Sequence, residues 1–166
     1  MPITRTPIID DDGFGRTGTI FNNAWKQELY GQIDQALGAW VDVPQSGCTF
    51  QASGGTWTVS AGFVTMMRYQ AIPGTKVVVV QFNLGGTSTI TPASANLIVN
   101  VSGLPSAAIG TLNACQYWVE TGFGAAWVQS PGGGALYFVR DISGTQWPAQ
   151  TNVVTYFRGQ IFYQSV

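Results

Sequence analysis

Beyond residue 43 the apolar residues recur in short runs of period two, separated by glycine, proline, asparagine and serine. Trp57, Val59, Ala61 and Phe63 alternate with Thr58, Ser60 and Gly62, the spacing of a strand with one buried face. Pro73-Gly74 suits a type II turn into Lys76–Phe82, whose Val77–Val80 run is expected to be buried on both faces. Further strands are expected at Asn96–Val101, Asn113–Glu120, Ala125–Gln129, Ala135–Arg140 and Val153–Tyr163, with Pro131-Gly132-Gly133-Gly134 cutting the chain between two of them. Many short strands with no helix between them predict a mainly β fold, an antiparallel β-sandwich or jelly roll. No internal repeat is visible.

The first part of the chain differs in kind. Residues 1–42 hold six of the eight acids, whereas residues 43–166 carry only Arg68, Lys76, Glu120, Arg140, Asp141 and Arg158. Residues 1–18, rich in Gly, Pro and Asp, read as an extended tail. Residues 19–40 read as one α-helix, with Trp25, Leu29, Ile33, Ala36, Leu37 and Trp40 on one side and Gly38 as a stop. About 18 helical residues make a rod of roughly 27 Å, marginal in isolation, so its stripe needs a partner. Trp25, Leu29, Ile33 and Trp40 are therefore the expected oligomer interface, and residues 41–166 the β-sandwich domain.

Composition narrows the function. Charged residues are 9% of the chain, against about 25% in an ordinary soluble domain, while apolar residues make up 45%. Low charge suits a surface buried in an assembly. A net charge of −1 supplies no basic field for nucleic acid. No apolar stretch reaches the roughly 18 residues that span a bilayer, and no basic flank with an apolar run marks a secretory leader. Without histidine there is no Ser-His-Asp or Cys-His arrangement, and Cys48 and Cys115 match no zinc spacing. Both are expected to be reduced and buried, and no metal or other cofactor is expected. A glycosidase needs paired carboxylates. The β part offers only Glu120 and Asp141, on separate segments, and Asp141 reads more simply as a turn residue. No enzyme is expected.

Three constellations remain. Asp10, Asp11 and Asp12 ahead of Gly13 could offer oxygen ligands to Ca²⁺, but the distal Glu of an EF-hand loop is missing; an acidic anchoring peptide is the simpler reading. On the strand Asn113–Glu120, residues Gln116, Trp118 and Glu120 share a face, an indole between an amide and a carboxylate. Tyr156, Arg158, Gln160 and Phe162 share a face of the last strand. Such faces suit a sugar, a contact between subunits, or ordinary core packing.

The opening RTPIIDDDGFGRTGTIFNNAWKQELYGQID resembles an N-terminal segment recurring in structural proteins of tailed bacteriophages. The β part resembles C-terminal domains of phage fibres through Asn100-Val101-Ser102-Gly103-Leu104-Pro105, the closing strand Val154–Tyr163, and Tyr69 with Gly74. The resemblance implies a homotrimeric virion appendage, assembled in the host cytoplasm, anchored to other virion proteins by its N-terminus and presenting its β domain outward for decoration or host-glycan binding. Full-length fibres are longer, so a short fibre, spike or decoration protein is expected. The alternative is a free-standing lectin-like module.

Overall fold

The alternation of valine, threonine and aromatic residues produces strands almost wherever it occurs. The computed structural model describes residues 28–33, 38–108, 110–119 and 122–166. The strands are β1 (Val41–Asp42), β2 (Cys48–Ala52), β3 (Thr56–Val59), β4 (Val64–Ala71), β5 (Val77–Thr91), β6 (Asn96–Val101), β7 (Leu112–Val119), β8 (Gly122–Gln129), β9 (Ala135–Val139) and β10 (Gln150–Gln164). They form one antiparallel sheet in the order β1-β4-β5-β10-β7-β8-β9-β6-β2, with β3 pairing the end of β5 beyond β4. The expected mainly β, antiparallel architecture is what the chain adopts, its layers folded from a single curled sheet.

The curl follows from the aromatic residues. Phe50 on β2 packs edge-to-face on Trp57 of β3 and on Phe63, at 5.2 and 5.6 Å, bringing the far end of the sheet back over its start. Trp57 continues to Phe157 on β10, and Phe157 to Phe138 on β9, which meets Phe82 on β5. Trp147 packs on Phe157, and its indole Nε1 donates to the Phe138 carbonyl at 2.9 Å. Burying each of these large side chains contributes roughly 1.5–3 kcal/mol, and edge-to-face pairs add about 0.5–1.5 kcal/mol.

β10 is the spine. It pairs with β5 from Gln164↔Val77 to Gln150↔Ile90, with a bulge at which Asn152 adopts φ 54. Behind the bulge, the buried hydroxyls of Ser88 and Thr155 bond each other at 3.0 Å, and Gln150 Nε2 donates to both. Thr155, Phe157, Ile161 and Tyr163 therefore point into the core, and Tyr156, Arg158, Gln160 and Phe162 point out.

The sequence-based boundaries need three corrections. Trp57 to Phe63 is not one strand: β3 ends at Val59, and a turn through Gly62 at φ 76, with Phe63 N–H donating to the Ser60 carbonyl, interrupts it before β4 continues along β5 in the same direction. Val77–Val80 is not buried on both faces; Val78 and Val80 are buried, whereas Val77 and Val79 lie half-covered on the outer side. Trp40 is not helical. Residues 28–33 form a helical turn, but Gly38 takes φ 76 and residues 38–40 lead without helix into β1. There the Arg68 guanidinium of β4 lies 4.6 Å above the Trp40 ring. The Pro73-Gly74 turn forms as expected, with Gly74 at φ 73 and Thr75 N–H donating to the Ile72 carbonyl.

Candidate functional site

The outward side of β10 meets β7 on one edge and β5 on the other. Register places Phe123 of β8 opposite Trp118 of β7, Trp118 opposite Tyr156 of β10, and Tyr156 opposite Gly85 of β5. The three rings stack. Trp118 and Tyr156 are 5.3 Å apart at 8°, and Trp118 and Phe123 are 5.5 Å apart at 18°. With ring planes about 3.5 Å apart, such centroid distances mean a lateral slip of about 4 Å, an offset stack. The rings overlap like shingles, each leaving part of its face open. Gly85 completes the row, since a Cβ there would overlap the Tyr156 ring.

The next outward row runs Gln116, Arg158, Asn83 across β7, β10 and β5. Arg158 Nε donates to Asn83 Oδ1 at 2.9 Å, and the guanidinium carbon lies 6.0 Å from the Tyr156 ring centre. Its two Nη groups make no hydrogen bond to the described residues. Between the rows opens a shallow cavity of ≈ 140 Å³ lined by Gln116, Tyr117, Trp118, Phe123, Tyr156 and Arg158. Pockets that engulf a drug-sized ligand are roughly 300–1,000 Å³, so this one suits a single small ring set against the surface.

Of the face residues read from the sequence, Gln116, Trp118, Tyr156 and Arg158 thus converge, although they lie on two strands far apart in the chain. Glu120, Asp10, Asp11, Asp12 and Trp25 lie outside the described residues. Leu29 is half-buried and Ile33 is 41% exposed, one helical turn apart, while Trp40 sits apart from them under Arg68. Sequence reasoning missed Phe123, which at 88% exposure is the most open aromatic residue described. The signal was there: a hairpin between β7 and β8 sets residue 123 opposite residue 118.

The other candidates are structural. Asp141 Oδ1 accepts hydrogen bonds from Thr145 N, Ser143 N and Ser143 Oγ, and these hold its carboxyl down at about 2. Cys48 and Cys115 are free thiols, pushed by burial up to about 11 and about 12. In the Gly103-Leu104-Pro105 turn, Gly103 sits at φ 74 beneath the Tyr69 hydroxyl, and Tyr163 Oη donates to the Pro105 carbonyl at 2.6 Å.

These observations define an antiparallel β domain with a stacked aromatic face beside one arginine. No protein-family model and no curated protein matches the chain. Among solved structures it is similar to the carboxy-terminal domain of the turkey type 3 siadenovirus fibre, avirulent form complexed with 3-sialyllactose. There the identity is 10% over 78% of this chain and 97% of that one, with a TM-score of 0.39. It is also similar to the virulent form of that domain, at 11% identity over 78% and 99% of the two chains, with a TM-score of 0.35.

Proposed function

We propose that the chain is a non-enzymatic adhesion protein of a tailed-bacteriophage virion, a short fibre, spike or decoration protein whose β domain contacts saccharide on a host surface. The observation that carries the binding role is the shingled row Phe123–Trp118–Tyr156 next to Arg158 and Gln116. Partly open ring faces receive the C–H side of a sugar, while guanidinium and amide take its oxygens. The virion role is supported by the phage-like opening segment, with Asp10–Asp12 as its docking charge. Titration calorimetry against polysaccharides from bacterial surfaces tests the binding role. The wild type binds and Trp118→Ala loses at least tenfold in affinity, about 1.4 kcal/mol. Equal binding by the variant would remove the face from the account.

A second reading is that the same face packs against another copy of the chain in a homotrimer. It is favoured by Val154 and Phe162, 36% and 46% exposed on the outward side of β10. Native mass spectrometry separates the two. If the face is an interface, Phe123→Ala and Phe162→Ala dissociate the oligomer. If the face is a saccharide site, the oligomer survives both, and Ile33→Asp in the N-terminal part is the change that dissociates it.

A further inference from the structure

We infer that the sugar residue recognised on this face is acidic, and that its carboxylate sits on the Nη edge of Arg158. The inference rests on the saccharide reading above and names its ligand class. Among the described residues, Arg158 is the only charged residue lining the cavity. Its Nε is held by Asn83 Oδ1 and its guanidinium borders the Tyr156 ring, so the group is already oriented. Among the described residues nothing pairs the two Nη groups, a planar fork that matches the two oxygens of a carboxylate. The lining is also unbalanced in hydrogen bonding. A guanidinium accepts nothing, and among the described residues the Gln116 amide oxygen is the one strong side-chain acceptor besides the Tyr156 hydroxyl, since the Tyr117 ring packs on Trp147 on the other side of β7. A neutral sugar accepts from the guanidinium only through uncharged hydroxyl oxygens, whereas a carboxylate accepts from both Nη groups with charge assistance. One cation balances one anion, so the match is to a singly charged sugar rather than to a polyphosphate or nucleic acid. The cavity of ≈ 140 Å³ admits the ring that carries the carboxylate and little more.

Arg158 then acts as the specificity residue and the aromatic row as the general sugar platform. These roles separate experimentally. Hyaluronate, polygalacturonate and polysialate oligosaccharides, each paired with its carboxyl-reduced neutral counterpart, are titrated into the full chain by calorimetry. The expected result is that at least one acidic member binds roughly tenfold more tightly than its neutral partner, with the preference shrinking as salt rises. Arg158→Gln removes the preference, so that acidic and neutral members bind the variant equally. Arg158→Lys keeps the charge without the fork and retains only part of it. Trp118→Ala weakens acidic and neutral members alike. Unchanged far-UV circular dichroism shows that the variants are folded, as expected for an exposed side chain. If neutral and acidic members bind equally to wild type and to Arg158→Gln while Trp118→Ala abolishes both, the acidic inference falls and the saccharide reading stands. If no member binds the wild type, both fall.

Discussion

Gly85 offers a sharp test of the aromatic row, because two effects of known sign oppose each other there. In an ordinary strand, replacing glycine by alanine stabilises by roughly 0.4–1 kcal/mol, since the unfolded chain loses freedom. Gly85 is in β5 directly opposite Tyr156, and an alanine Cβ would overlap the Tyr156 ring. The ring must swing off. Doing so forfeits its stack on Trp118, worth about 0.5–1.5 kcal/mol, and part of the burial of a half-covered side chain, about another 1 kcal/mol. The net expectation for Gly85→Ala is destabilisation by about 1 kcal/mol, a few degrees in melting temperature for a domain of this size. Urea denaturation measures the energy, and near-UV circular dichroism reports the loss of the Trp118–Tyr156 pair. The double variant Gly85→Ala/Tyr156→Ala closes the argument: without the ring, the added methyl becomes neutral or stabilising relative to Tyr156→Ala. If Gly85→Ala is more stable than wild type and leaves the near-UV spectrum intact, Tyr156 does not lie over Gly85 and the row is wrongly drawn.

Two further outcomes follow from the burial and hydrogen bonding on either side of the sheet. Phe123→Ala costs no more than about 1.5 kcal/mol, the worth of its stack on Trp118, because the ring is otherwise 88% exposed, whereas Phe157→Ala costs about 3–5 kcal/mol in the middle of the aromatic core; chemical denaturation compares them. Asp141 has its carboxyl lowered from 3.8 to about 2 by hydrogen bonds from Thr145 and Ser143, so its contribution is present above pH 3.8 and is lost as pH falls through about 2. Melting curves of wild type and Asp141→Asn therefore separate at neutral pH and converge below pH 2; separation that persists in acid contradicts the assignment.

The parity of strands was readable from the residues, and the pairing of strands was not. Period-two alternation put Gln116 and Trp118 on one face, and Tyr156, Arg158, Gln160 and Phe162 on another, because side-chain direction depends only on position within a strand. That β7 and β10 are neighbours, with Trp118 opposite Tyr156, depends on contacts between distant parts of the chain. Phe123 does not stand out in the sequence because Gly122 and Gly124 look like loop residues. Gly124 is small for a packing reason: a Cβ there would overlap the ring of Tyr117 across the hairpin. Trp40 departs from its sequence pattern for the opposite cause. Its spacing continues a helical stripe, but Gly38 turns the backbone to φ 76, and the indole finds Arg68 instead.

The central claim is that saccharide meets the protein at the stacked row, and the indole N–H resonances test it directly. The chain has six tryptophans, of which Trp57 and Trp147 are buried in the core and Trp118 stands in the row. In a nitrogen-15-labelled sample titrated with a saccharide that binds, the Trp118 indole signal should shift progressively while those of Trp57 and Trp147 hold still. Shifts confined to other tryptophans, with Trp118 unmoved at saturation, would put the binding surface elsewhere and contradict the account.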